Sequence, residues 1–146
     1  MHAKQAKKML CGDFSHDLMV HVMQDLYPHL THGKDYVIGH YVHEEHGHQC
    51  SDPFFLAWRV KDMAQPDPAS LKEVFLSNEA KYRSQFARRY RDACLKWSDG
   101  KADAPSDAPD SVRSRAAKWA EYRKKLRDIP MQEAFPHDIE WPDLPE

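Results

Sequence analysis

The 146 residues contain no run of 18 or more apolar side chains, so the sequence offers no membrane-spanning helix. Three cysteines, Cys11, Cys50 and Cys94, are odd in number and far apart. They read as reduced thiols of a cytosolic protein rather than as a disulfide framework. Only five glycines occur, and none forms a phosphate-cradling loop. G-x-S-x-G and H-E-x-x-H are both missing, and His43-Glu44-Glu45-His46 has the wrong spacing for the latter zinc motif. The N-terminal lysines Lys4, Lys7 and Lys8 precede only Met9-Leu10-Cys11, too short an apolar stretch for a signal-peptide core. These absences argue against an enzyme, and no cofactor is expected.

Charge is present but segregated. The formal net charge is −2. Lys81 to Trp97 nevertheless holds six Lys/Arg and one acid, and Ser111 to Asp128 holds seven and two. From Met131 to Glu146 there are five acids and no Lys or Arg. Basic helices and an acidic tail can neutralise one another within the fold, or the basic segments can meet an acidic partner. Overall negative charge and the lack of a reader motif disfavour nucleic acid.

Periodicity organises the chain into a helix, a hairpin and two long helices, an α+β class. Residues 1–12 read as a loose arm. Asp13 or Ser15 is placed to cap a helix over 16–27, with Leu18, Val22 and Leu26 in one stripe, Met19 and Met23 beside it, and Pro28 as its end. Asp35–His43 and Pro53–Val60 have strand composition, and Gly47 suits a turn between them, predicting an antiparallel β-hairpin. Ser70 with Glu73 has the form of a capping box opening one helix to about residue 97, roughly 40 Å long. Its apolar stripe includes Leu71, Phe75, Tyr82, Phe86, Tyr90, Cys94 and Trp97. Ser98–Asp110 is a polar linker, and Asp110 or Ser111 is expected to cap a last helix bearing Ala116, Trp119, Tyr122 and Leu126. The linker favours an antiparallel pair of long helices. The segments expected are therefore 1–64, 65–97, 98–110 and 111–146.

The tail beyond Pro130 has aromatics but no period. Pro136, Pro142 and Pro145 remove backbone donors, so it is neither helix nor central strand. Yet burying side chains such as Phe135, Ile139 and Trp141 is worth about 1.5–3 kcal/mol each. Such an extended strap either packs on its own domain or docks on a partner.

Histidines are the remaining candidate chemistry. His43, His46, His48 and Cys50 could in principle offer N/S ligands to zinc, but their intervals match no standard zinc module and solvated loop histidines are the alternative. Cys50 beside His48 is not a recognisable catalytic pair.

The run Trp119-x-x-Tyr122-Arg123-x-x-Leu126-Arg127-Asp128-Ile129-Pro130, followed by Phe135-Pro136-x-x-Ile139-x-Trp141-Pro142, resembles the C-terminal module of phage tail assembly chaperone (tail-fibre assembly-type) proteins. One departure is Ala134 where the family usually has glycine before Phe-Pro. A turn needing positive φ there would be strained by alanine. The resemblance implies a non-enzymatic assembly chaperone in the host cytoplasm that binds a virion tail or tail-fibre protein. A structural adaptor retained in the virion tail is the alternative, and a small zinc module on the His43–Cys50 loop a further one. The partner-binding residues then expected are Phe54, Phe55 and Trp58 on the strand, Trp119, Tyr122, Arg123 and Arg127 on the last helix, and Phe135, Ile139 and Trp141 in the tail. Oligomeric state is left open.

Overall fold

The computed structural model describes residues 14–146, so the expected N-terminal arm and the candidate cap Asp13 lie outside the described residues. Helix and sheet combine as α+β, in two compact units that divide between Arg83 and Ser84.

The unit ending at Arg83 begins with α1, His16–Leu26, capped by Ser15, whose Oγ accepts from the Leu18 amide at 3.2 Å. Its buried face is Leu18, Met19, Val22 and Met23, whereas Leu26 is exposed. The stripe is thus rotated toward the two methionines, whose flexible side chains fill irregular core space. After Pro28, Gly33 turns the chain at φ 89° and donates its amide to the Tyr36 carbonyl. Only an achiral residue takes that φ without cost.

The hairpin forms from β1, Tyr36–Gly39, and β2, Phe54–Trp58. Both strands are shorter than the composition predicted, with an isolated Val42–Gln49 bridge continuing the pairing toward the turn at Gly47. Tyr36 pairs with Trp58 and Val37 with Ala57, but Ile38 pairs with Phe55, leaving Leu56 as an extra residue. This β-bulge resets the alternation, so Phe55 and Trp58, three apart, both approach Tyr36 on the buried face. Leu56 is turned outward over Gly39.

The predicted single helix over 70–97 is two helices. α2, Pro68–Ser77, starts at the cap Asp67, whose Oδ1 accepts from the Ala69 amide, while Ser70 only donates its hydroxyl to Asp67 Oδ2. Pro68 at the first helical position explains the earlier start, because its missing N–H needs no partner there. Asn78 then leaves helical geometry at φ −133°, ψ 29°, and its side-chain amide donates to the Val74 carbonyl. α3 follows as Glu79–Trp97. Phe75 and Tyr82 from either side of the break pack with Phe14 and α1 into one core, and the Tyr82 hydroxyl donates to Asp25 at 2.9 Å.

In the unit from Ser84 onward, α3 pairs with α4, Asp110–Asp128. Trp97 meets Trp119, and Arg123 reaches Leu95 and Ser98. Residue numbers fall on α3 as they rise on α4, so the pair is antiparallel. The expected side-chain cap at Asp110 or Ser111 is not used: Pro109 precedes the helix, its carbonyl accepting from Val112 and Arg113, and Asp110 instead pairs with Arg113. Ala87, Tyr90, Cys94, Trp119, Tyr122, Leu126 and Ile129 make the core, joined by Ile139 from the tail. Ser98, at the head of the linker, is fully buried, its hydroxyl donating to the Cys94 and Leu95 carbonyls.

A 3₁₀ turn, Ile129–Met131, ends α4, and a run of turns contains a cis Phe135–Pro136 bond. No non-glycine residue among those described has positive φ, so Ala134 is accommodated without the strain that its departure from glycine raised.

Candidate partner-binding surfaces

Two surfaces, one in each unit, present groups that a protein partner could use. The first is the outer face of the hairpin. Leu56 is 63 % exposed, Tyr41 67 % and Val42 53 %, and the Phe54 ring lies 5.1 Å from that of Tyr41. Gly39 makes the arrangement possible, because any larger residue would occupy the space taken by the Leu56 side chain. Among the described residues β2 pairs with β1 alone, so its other edge could accept another strand. Phe55 and Trp58 face inward, and the Trp58 indole donates to the Met63 carbonyl at 2.9 Å. Phe54 is therefore the strand aromatic that reaches this outer face, while Tyr41, Val42 and Leu56 were not singled out. Leu56 could not have been read from alternation, which a bulge breaks.

The second surface is the strap and its seat. Trp119, Tyr122 and Ile139 are buried in the core, so in this fold they shape the surface from beneath. Arg123 is a clamp: Nη1 donates to the Leu95 carbonyl at 2.6 Å and Ser98 Oγ at 2.8 Å, and Nη2 pairs with Asp99. Those contacts cap the C-terminal end of α3, where unsatisfied carbonyls favour a cation. Arg127, by contrast, is exposed. The Phe135 ring sits under the Arg88 guanidinium at 5.5 Å, and the Trp141 ring meets Tyr90 edge-on at 5.0 Å. Gln132 holds the strap by mimicking a strand neighbour, its amide accepting from the Glu140 N–H and donating to the Glu140 carbonyl, both at 2.9 Å. A shallow cleft of about 410 Å³ lies beside Lys125, Gln132 and Trp141.

Electrostatics inside this unit are those of a packed core. Burial pushes the Cys94 thiol up, although the Tyr122 and Tyr90 hydroxyls hydrogen-bond to it. Tyr90 is pushed up to about 12, and Tyr122 is raised likewise, mainly by burial. A protonated, buried thiol is a poor nucleophile.

His43 and His46 stack face to face at 4.2 Å, with the edge of His48 against His46, and Cys50 is exposed. Parallel stacked rings send their in-plane lone pairs along separate lines rather than to one ion. Among the described residues, no three His, Cys, Asp or Glu side chains are grouped to hold a metal. A different histidine pair is in contact: His16 Nδ1 and His40 Nδ1 lie 3.3 Å apart, and His32 Nε2 accepts from the Ile38 amide at 3.2 Å. Burial lowers the His16 pKa, with further lowering by His40 and His32 against the opposing effect of Asp17.

The unit from Ser84 onward is thus a pair of helices with an aromatic core and a strapped tail, and the unit before it carries the hairpin. Residues 84–146 match the phage tail assembly chaperone protein family, and residues 19–83 match the XkdW protein family. Residues 84–146 thus form a module of the phage tail assembly chaperone type. The two matches meet between Arg83 and Ser84, where the chain also divides into its compact units. No curated protein and no solved structure matches the chain. Among the described residues no helix is long and apolar enough to cross a membrane.

Proposed function

We propose that the protein binds a phage tail or tail-fibre protein directly, shields its apolar or strand-edge surface during assembly, and does so without chemistry of its own. The observation that carries this reading beyond the family's tail-assembly role is the hairpin's outer face. Leu56 on the bulged strand β2, and Tyr41 and Val42 on the segment that follows β1, are exposed to water beside a sheet edge that no other described strand pairs with. Large exposed apolar side chains grouped in this way mark protein contacts, and an open edge adds backbone hydrogen bonds to side-chain anchoring. Binding takes place in the host cytoplasm, and release precedes completion of the tail.

Co-expression with the neighbouring tail-fibre gene product tests the proposal. A discrete complex by light scattering, with fibre soluble only in this protein's presence, is the expected result. Fibre that is equally soluble alone and never co-purifies would remove the chaperone reading. Stoichiometric recovery of the protein in purified particles would replace it with a retained adaptor.

A further inference from the structure

We infer that residues 141–146 are a displaceable latch, and that the seat they cover on α3 and α4 receives an extended, acidic, aromatic-bearing segment of the client. The inference rests on the proposed client binding for the identity of the occupant, but not for the latch itself.

Three observations support displacement. Among the described residues, 141–146 form no hydrogen bond or ion pair; the last backbone anchors of the strap are the two bonds between Gln132 and Glu140. What holds the segment is side-chain packing, Trp141 against Tyr90 and Leu144 at the border of the core. Segments with few backbone hydrogen bonds and few apolar contacts open at the low end of a protein's stability range. Moreover, docking leaves Trp141 Nε1 buried without a hydrogen-bond partner among the described residues. An unmet buried donor is costly, and opening restores its hydration. Packing therefore favours the closed latch while the orphan donor works against it.

The occupant follows from charge and from the resident segment. From residue 84 onward α3 carries four Lys/Arg against one acid, and α4 carries seven against three. The strap from Met131 carries five acids and no Lys or Arg. A client segment suited to this seat shares that chemistry: extended, acidic, with an aromatic to replace Trp141 on Tyr90. Opening then couples client entry to latch release, because one seat cannot hold both.

The probe is a synthetic peptide of the strap itself, FPHDIEWPDLPE, titrated into the intact protein carrying fluorotryptophan, with the Trp141 resonance assigned through Trp141→Phe. The expected result is movement of the Trp141 signal from a buried to a solvent-like position as peptide is added. A chain ending at Glu140 should bind the same peptide at least about tenfold more tightly than the intact chain, since the closed latch reduces the competent fraction. Should that shortened chain not fold, the titration of the intact protein decides alone. A Trp141 signal unmoved by millimolar peptide would overturn the latch. In the co-expressed client complex, a Trp141 signal still at its buried position would overturn the client assignment. Dimers formed by strap exchange without peptide would give the seat to a second copy and overturn that assignment too. Absence of any client complex would count against the proposed function alone, leaving the peptide result to stand.

Discussion

Gly39 and Leu56 meet so closely across the hairpin that a Cβ on Gly39 would stand 2.5 Å from Leu56 Cδ1. Something must move if that carbon is added, and the exposed Leu56 side chain is free to swing. Gly39→Ala should therefore cost no more than about 1 kcal/mol in a urea melt. Capture of the tail protein should nonetheless weaken, because the swing rearranges the outward face of the bulge. Unchanged capture together with unchanged stability would show that Leu56 does not need its present position.

The Leu56 side chain can also be replaced directly. Leu56→Asp removes an exposed apolar group and puts a charge where a client surface would have to desolvate it. Surface changes of this kind usually shift stability by no more than about 0.5 kcal/mol. Co-purification should fall sharply while the melting curve barely moves. Full client recovery with this variant would exclude the outer hairpin face as the docking site.

Arg123 has the opposite profile. Its guanidinium satisfies the Leu95 carbonyl, Ser98 Oγ and Asp99 at the C-terminal end of α3. Ser98 is fully buried, so truncating the arginine leaves interior polar atoms short of a donor. Arg123→Ala should cost about 2–3 kcal/mol, and Arg123→Lys should recover only part of it because an ammonium cannot reproduce the fork. Denaturant melts of the two variants check this. A loss of client binding at full stability would instead restore Arg123 as a contact residue.

The helix pair and its aromatic core were legible in the sequence because Tyr90, Cys94, Trp119, Tyr122 and Leu126 repeat at helical spacing. The burial of Ile139 in the tail was legible from apolar residues set among prolines. Three features were hidden for physical reasons. Asn78 ends α2 through a side-chain bond to the Val74 carbonyl, and nothing in the apolar stripe on either side marks that choice. The Leu56 bulge is a property of strand pairing, invisible in one strand alone. Arg123 looked like a free cation because its partners, the carbonyl of Leu95 and the head of the linker, come from a segment 24–28 residues away.

Two tryptophans of the same unit should behave differently. Trp119 is buried between α3 and α4, whereas Trp141 is partly exposed and carries an unmet indole donor. Trp119→Ala should cost about 3–5 kcal/mol, as for other buried large-to-small changes. Trp141→Ala forfeits packing on Tyr90 but also removes the orphan N–H, so its net cost should be about 1–2 kcal/mol. Equal losses at both sites would mean that the strap is as integral to the core as α4.

Burial of His16 at its contact with His40 gives stability a pH dependence of definite sign. One of the two Nδ1 atoms must accept from the other at 3.3 Å, so at least one of these rings is neutral there, and His32 Nε2 accepts from the Ile38 amide. Burial places the folded-state pKa of His16 below the ordinary value of 6.5, with His40 and His32 adding to the shift and Asp17 opposing it. The unfolded chain therefore binds the proton first, and linkage makes stability fall as pH drops. The contribution is complete above the unfolded value near 6.5 and declines as the pH falls from there toward the lowered folded value. Below both values none of it remains. His16→Gln should flatten this part of the profile while leaving stability at pH 8 closer to that of the parent. Urea midpoints measured at intervals from pH 8 to pH 5 on both proteins give the difference, and parallel profiles would show that His16 does not titrate with folding.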